Sequence, residues 1–172
     1  MTQANAAVEI QFVRTDAQAL HVETLAWGFI DWLRDRYPDM QAEIDRYLTH
    51  QKFAEQIADI RSYYGPPKGD CLLAVLAGAP VGIVMMKDVG AGVCEMNRMF
   101  VLESARGAGA GRALVKTIQN RARELGFTRM TLGALPRHHE ALALYRKMGF
   151  TDDPRTGNEG NTNVSLLMAM DL

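Results

Sequence analysis

The first part of the chain changes from the pattern of a strand to the pattern of a helix. Apolar and polar residues alternate over residues 8–13, which predicts a first β-strand. Apolar residues then recur at intervals of three and four from Val22 to Leu33, the spacing of one buried helix face. Pro38 ends this helix, and Asp16 is placed to cap its start.

A second helical stretch and three strands follow in the pattern. Apolar residues keep helical spacing after Asp39 until Gly65 stops them, so we expect two early helices in all. Two short apolar runs, residues 72–76 and 81–86, are joined by Ala-Gly-Ala-Pro and predict an antiparallel hairpin. Residues 93–102 predict a third strand, which leads into a glycine-rich turn.

The rest of the chain alternates helices with strands. A helix with an apolar face ends at a glycine cap, and a loop rich in Asp, Gly, Asn and Pro precedes the last strand. The predicted elements are a helix ending at Gly126, a strand at 128–134, a helix at 138–147, a short strand after Phe150, a mobile loop at 152–163 and a strand at 164–170. This order predicts an α/β fold with a mixed central sheet.

Length and charge limit the classes of function. At 172 residues, we expect residues 1–172 to form a single domain. The 19 basic and 20 acidic residues leave a net charge near −1, which gives no support for a nucleic-acid partner or an anionic membrane surface. The N-terminus lacks the features of a secretory signal, and no apolar run is long enough to span a bilayer. These features predict a soluble cytoplasmic protein.

The two cysteines, Cys71 and Cys94, lie in predicted strands. A disulfide between two strands is geometrically possible, but two lone cysteines more often behave as small buried apolar residues in a reducing cell. The cysteines and the His138-His139 pair lack the ligand spacing of a zinc site, so no metal is predicted.

Three alternating glycines form the most informative segment. Gly107, Gly109 and Gly111 follow an apolar strand and open a helix, so their N–H groups can converge on one anion, which the helix dipole also attracts. Arg106 and Arg112 flank the turn and can add full positive charges. The segment therefore predicts a site for a phosphate-bearing ligand.

Two common phosphate-binding motifs do not fit this turn. A dinucleotide fingerprint requires G-x-G-x-x-G, and its third glycine would fall on Arg112 or Leu114, depending on the register. A Walker-type loop requires Gly-Lys-Ser or Gly-Lys-Thr, whereas Gly111 is followed by Arg112 and Ala113. A nucleotide-dependent enzyme would therefore need an unusual turn.

The pattern that remains, R-x-x-G-x-G from Arg106 to Gly111, resembles the acyl-CoA signature of the GNAT N-acetyltransferase superfamily. A second segment, Ala-Leu-Ala-Leu-Tyr-Arg-Lys-Met-Gly-Phe at residues 141–150, is similar to the late motif of that family, A-x-x-L-Y-x-K-x-G-F. The resemblance implies a mixed, mostly antiparallel, twisted central sheet flanked by helices. It also implies a splayed pair of strands that holds acyl-CoA, and hence acetyl-CoA as the acyl donor.

The resemblance also implies catalytic residues. Glu95 is the only acid inside the third strand, at an offset where family members often place a general base. The alternative for Glu95 is a structural ion pair, for example with Arg98, or a contact that only orients the substrate. Tyr145 stands where family members use a phenol to protonate the departing thiolate. From the residues alone, a tyrosine on an apolar helix face is usually part of the core.

By the same resemblance, the pantetheine arm lies along the third strand like an added strand. Family members often carry Asn where this chain has His138, so its amide donors are replaced by a ring nitrogen. His138 and His139 are also typical solvated residues at a helix N-terminus. The residues implied in acyl-CoA binding are Met99, Phe100, Val101, Arg106, Gly107, Ala108, Gly109, Ala110, Gly111, Arg112 and His138.

The sequence says less about the acceptor amine than about the acyl donor. Arg34, Arg36 and Arg61 could clamp a carboxylate, but nearby acidic residues could equally attract a cation. We expect a primary amine of a small molecule, since no basic or acidic tract suggests a macromolecular partner. A protein amine and a catalytically silent acyl-CoA sensor remain alternatives, and a homodimer is possible.

Overall fold

The computed structural model describes residues 6–154 and 165–172, and most of the predicted loop at 152–163 lies outside the described residues. Its seven strands form one sheet in the order β1-β2-β3-β4-β5-β7-β6. The strands are β1 (Val8–Phe12), β2 (Gly69–Leu76), β3 (Ala79–Gly90), β4 (Val93–Val101), β5 (Arg129–Ala134), β6 (Thr151–Asp152) and β7 (Leu166–Asp171). The helices are α1 (Asp16–Arg36), α2 (Gln41–His50), α3 (Phe53–Ala58), α4 (Ile60–Tyr63), α5 (Ala110–Glu124) and α6 (His139–Lys147).

The sheet is mixed and mostly antiparallel, as predicted. Neighbouring strands are antiparallel everywhere except between β4 and β5, which run parallel. The parallel pair is possible because α5 forms the crossover connection between the two strands. The predicted hairpin is β2 and β3, joined at Ala77 and Gly78, both of which have positive φ.

Two apolar cores lie against the two faces of the sheet. One core contains buried residues of α5 and α6, among them Leu114, Ile118 and Leu142. The other contains buried residues of α1 to α4, among them Ile30 and Phe53. The sheet thus separates a helical layer of α1 to α4 from a layer of α5 and α6.

Two details of the helical layer differ from the prediction. Thr15, not Asp16, is the N-cap of α1: its side chain accepts from the Gln18 N–H, and the Gln18 side chain accepts from the Thr15 N–H. The second early helix is divided into α2, α3 and α4. The chain turns at Lys52, which has a left-handed φ of 48°, and again at Asp59, so apolar spacing persists across breaks in the helix.

Both cysteines are free and buried, so the disulfide alternative does not hold. Burial raises the pKa of the Cys71 thiol, and it raises the pKa of Cys94 to about 12. No helix within the described residues combines the length and the apolar character needed to cross a bilayer.

Candidate active site

The parallel pairing of β4 with β5 ends early. It joins Val93, Cys94 and Glu95 to Arg129–Thr131, yet β4 continues to Val101 and β5 to Ala134. Within the described part of the chain, no strand pairs with this side of β4 beyond Glu95. The β5-facing edge of Met99–Val101 therefore pairs with no strand among the described residues, although the Val101 carbonyl accepts from Arg106 Nε. An extended ligand can hydrogen-bond to such an edge.

A β-bulge interrupts β4 on its other side. Asn97 pairs with Met85 and Phe100 pairs with Ile83, so two residues of β4 oppose one residue of β3. Arg98, inside the bulge, has a φ of 51°, in the left-handed region. Residues opposite each other on antiparallel strands share a face. Asn97 and Phe100 therefore face the core beneath α1 to α4, to which Met85 and Ile83 belong.

Glu95 faces the same layer, because it pairs with Lys87 two residues from the Asn97–Met85 pair. Its side chain is half-buried, and Asn97 Nδ2 donates a 2.6 Å hydrogen bond to Glu95 Oε1. The sequence also allowed a structural ion pair between Glu95 and Arg98, but these two side chains do not form one. Glu95 thus stands at the last residue of the β4–β5 pairing, where the unpaired edge of β4 begins.

Arg98 is the most buried arginine of the site, with 6% of its surface exposed. Its guanidinium donates to the hydroxyl of Tyr64 and to Gln56 Oε1, the latter at 3.0 Å, and it lies 4.9 Å from the ring centre of Phe53. Burial raises the pKa of Tyr64 to about 12, although the charge of Arg98 lowers it in part. Burial also raises the pKa of Tyr47, so both phenols are neutral.

The glycine turn presents an open helix N-terminus. Gly107 and Gly109 have φ of 85° and 87°, which residues with a side chain rarely adopt. A Cβ at either position would meet no atom within 4 Å, so conformation, not space, selects glycine there. Gly109 is the N-cap of α5 and provides no side-chain cap. The first N–H groups of α5 therefore remain available to an anion, as a pyrophosphate requires.

Gly111 has a different role from the other two glycines. A Cβ at this position would lie 3.2 Å from Leu144 Cδ2 and 3.8 Å from Met99 Cε. Gly111 therefore allows α5 to pack closely against α6 next to β4.

The two arginines beside the turn differ in the contacts that their side chains make. Arg106 is drawn toward α1: its guanidinium lies 4.8 Å from the ring centre of Trp32, and its Nε donates to the Val101 carbonyl at 3.3 Å. Its Nη1 lies 3.7 Å from Glu103 Oε1. Arg112 is exposed in the first turn of α5. Arg112 is thus the freer of the two charges for a phosphate group.

Tyr145 lies on α6 and is 7% exposed, in the core on the opposite face of the sheet from Glu95. Burial raises its pKa, which keeps the phenol protonated near neutral pH. The late motif holds Tyr145 in place at the end of α6. Gly149 has a φ of 100°, so the chain turns back and the Phe150 N–H donates to the Tyr145 carbonyl at 3.0 Å. The rings of Tyr145 and Phe150 then meet edge to face at 6.1 Å.

His138 is the N-cap of α6, and only 19% of its side chain is exposed, so it is not the solvated residue that its position suggested. Its ring lies 5.0 Å from that of Trp32 on α1. Burial lowers the pKa of His138, although Glu140 raises it in part. The neutral imidazole has one donor and one acceptor nitrogen at the start of α6.

The surface arginines considered for the acceptor already have carboxylate partners. Arg34 pairs with Asp45 at 2.7 Å, Arg36 with Glu140 at 2.9 Å, and Arg61 with Asp16. Among the described residues, no group of three or more His, Cys, Asp and Glu side chains is placed to hold a metal ion.

Comparison with known proteins agrees with this geometry. The sequence model of the acetyltransferase (GNAT) family matches residues 26–150. The IAA acetyltransferase of Azospirillum brasilense is 34% identical over 139 residues, 79% of this chain and 90% of that protein. A crystal structure of an acetyltransferase from Streptococcus agalactiae has a TM-score of 0.75 at 19% identity and covers 96% of this chain and 99% of its own. The PaiA N-acetyltransferase of Thermoplasma acidophilum, solved in complex with coenzyme A, has a TM-score of 0.69 at 17% identity, with 96% and 99% covered.

An unpaired edge of β4, followed by an open helix N-terminus, suits an extended ligand that carries a phosphate group. The chain belongs to the GNAT family of acetyltransferases. It is an acetyl-CoA-dependent N-acetyltransferase, which confirms the predicted family, fold class and acyl donor.

The sequence interpretation did not treat Arg98 as a site residue in its own right. A signal was present, because Arg98 is the only basic residue within the apolar run of β4. A charge in a buried strand requires a partner, and its partners here come from α3 and the residue after α4.

Proposed function

We propose that the chain transfers the acetyl group of acetyl-CoA to the primary amine of a small molecule by direct attack on the thioester. The observation that carries this proposal is the position of Glu95, at the last paired residue before β4 and β5 separate. A base at that point adjoins both the free edge of β4 and the layer of α1 to α4. The relative named IAA acetyltransferase supports a small-molecule acceptor.

In this proposal the pantetheine arm lies along Met99–Val101, and the pyrophosphate rests on the N–H groups of the glycine turn. The residues that contact the donor are Met99, Phe100, Val101, Gly107, Ala108, Gly109, Ala110, Gly111, Arg112 and His138, with Arg106 at the edge of the turn. The open N-terminus of α5 and the exposed charge of Arg112 fit a pyrophosphate. His138 offers a single ring N–H where an asparagine amide would offer two.

Glu95 and Tyr145 move the two protons of the reaction. Glu95 accepts a proton from the ammonium group of the acceptor, so that the nitrogen gains a free electron pair. The nitrogen then bonds to the acetyl carbon while the carbon–sulfur bond breaks. Tyr145 donates a hydrogen bond to the sulfur as negative charge develops there, and its proton passes to the leaving thiolate. The attacking nitrogen, which is positively charged once the new bond has formed, then gives its second proton to the Tyr145 phenolate, and Glu95 releases its proton to solvent. The amide product and a free thiol result, and both side chains return to their starting states.

A turnover assay with acetyl-CoA and a panel of amines tests the reaction, with the released thiol measured by a colorimetric reagent. We expect turnover with small amines to exceed turnover with peptide amines. Greater activity on peptides would support a protein acceptor instead. Acetyl-CoA binding without turnover of any amine would indicate the catalytically silent sensor and contradict the proposal.

Two variants test the residue roles. Glu95→Gln and Tyr145→Phe each remove one proton-transfer group, and we expect kcat to fall by about 100-fold or more, with little change in the affinity for acetyl-CoA. Tyr63→Phe is the matched control, because it removes an exposed phenol hydroxyl that bonds to Glu55. A Tyr145→Phe variant with the kcat of Tyr63→Phe would exclude Tyr145 as the proton donor.

A further inference from the structure

Arg98 carries a buried positive charge without a carboxylate partner. Within residues 6–154 and 165–172, no Asp or Glu oxygen forms an ion pair with its guanidinium. Its hydrogen-bond partners are neutral: the hydroxyls of Tyr64 and Tyr47, Gln56 Oε1 and the thioether of Met85. Its Nε is buried and has no partner at all.

Another buried charge of the fold, Asp70, has charged partners. Asp70 is fully buried, and Arg14 and Arg121 both pair with it, at 2.7 and 2.9 Å. Burying a charge without an opposite one costs far more than burying a pair. The aromatic faces of Phe53 and Tyr64 offset part of this cost for Arg98 but leave its Nε unsatisfied. An anion beside Arg98 would balance this buried charge and could accept from Nε.

Arg98 also stands at a useful distance from the base. It lies three residues beyond Glu95 on β4, about 10 Å along an extended strand and less through the bulge. Both side chains face the layer of α1 to α4, and both charges act on the phenols of Tyr47 and Tyr64. A short molecule can thus reach Glu95 with an amino group and Arg98 with an anionic group.

The elements that cover Arg98 are short helices without side-chain caps. Helices α2, α3 and α4 have no side-chain N-cap, and α3 and α4 have only six and four residues. Lys52, in the left-handed region, joins α2 to α3. Gln56 lies on α3, and Tyr64 directly follows α4. A carboxylate is a stronger acceptor for a guanidinium than either side chain, so it can displace them.

We infer that Arg98 binds the carboxylate of the acceptor, so that the substrates are amines that also carry a carboxylate, such as amino acids. This inference rests on the proposed N-acetyltransferase function and assigns its substrate class. A carboxylate binds the planar guanidinium through two parallel hydrogen bonds, which fixes the amino group relative to Glu95.

The test compares acceptors that differ only in the carboxylate. Each amino acid of a panel is assayed beside its amide and its decarboxylated amine, with acetyl-CoA as donor. We expect kcat/KM for the amino acid to exceed that for either analogue by about tenfold or more. Equal or greater activity with the analogues would overturn the assignment of Arg98 and leave the acetyltransferase proposal intact. No turnover with any amine would overturn both.

Two variants locate the effect at Arg98. In Arg98→Lys and Arg98→Gln, we expect KM for the amino acid to rise about 10- to 100-fold, and KM for the decarboxylated amine to rise far less. Arg34→Gln, which removes a half-exposed arginine paired with Asp45, is the control. The thermal shift with acetyl-CoA checks that each variant folds and binds the donor. A loss of kcat that is equal for all acceptors would show a structural role and overturn the inference. If neither Arg98 variant folds, the comparison of acceptors with the unaltered protein decides.

Discussion

Replacing Gly109 by valine is expected to change two quantities that can be measured separately: the stability of the protein and its affinity for acetyl-CoA. Gly109 has a φ of 87°, and a Cβ there would meet no atom within 4 Å. Valine in the left-handed region costs about 1–2 kcal/mol or more in stability. For a chain of this size, that lowers Tm by roughly 2–8 °C. The fold of Gly109→Val should survive.

The effect on the donor is expected to be larger. A valine favours negative φ at position 109, which turns the following N–H groups away from the pyrophosphate. Two lost charge-assisted hydrogen bonds, at about 1.5 kcal/mol each, weaken acetyl-CoA binding about 100-fold. Isothermal titration calorimetry with acetyl-CoA measures this change directly.

Gly78→Val is the matched control. Gly78 has a φ of 80°, also meets nothing within 4 Å, and lies in the β2–β3 hairpin. We expect both variants to lose similar stability, but only Gly109→Val to lose affinity. Equal dissociation constants for the two variants would refute the assignment of the pyrophosphate to the glycine turn. A loss of affinity in both would show that destabilisation alone weakens binding.

Three further outcomes follow from the structure. Asp70→Ala leaves two arginines without their buried partner, so we expect the free energy of unfolding to fall by about 3 kcal/mol, measured by urea denaturation. Burial lowers the pKa of His138 in the folded state. Its contribution to stability is therefore present above its unfolded pKa of about 6.5 and is lost as pH falls below that value. Between pH 5 and 8, we expect the free energy of unfolding of the unaltered protein to rise with pH through a contribution that the His138→Gln variant lacks. Identical pH profiles for the two proteins would contradict this. Cys71 and Cys94 should not react with a thiol reagent until the protein unfolds, because both thiols are buried and have raised pKa values; rapid labelling of the native protein would contradict this.

The parts of the fold that the sequence predicted depend on local patterns. The β2–β3 hairpin, strand β4 and the glycine turn each occupy a continuous segment whose residue types determine its backbone. The same holds for the late motif, in which Gly149 and Phe150 end α6 and so position Tyr145.

The parts that the sequence did not predict depend on contacts between distant segments. The bulge at Arg98 is defined only by the register between β3 and β4. The division of the second helix at Lys52 leaves the apolar spacing unbroken, so periodicity cannot reveal it. The stacking of His138 on Trp32 joins residues more than a hundred positions apart. Long-range packing determines each of these features.

The sheet with a separate core on each face has a consequence for how this enzyme can change. The glycine turn and Tyr145 depend on the core under α5 and α6, whereas the residues around Arg98 depend on the core under α1 to α4. Mutations more than about 7–10 Å apart that share no partners usually have additive effects. With the roles proposed above, substitutions in α2 to α4 should alter acceptor choice while the affinity for acetyl-CoA stays constant. Directed evolution toward new acceptors can therefore be confined to α2 to α4, and the residues of α5 and α6 can be left unchanged.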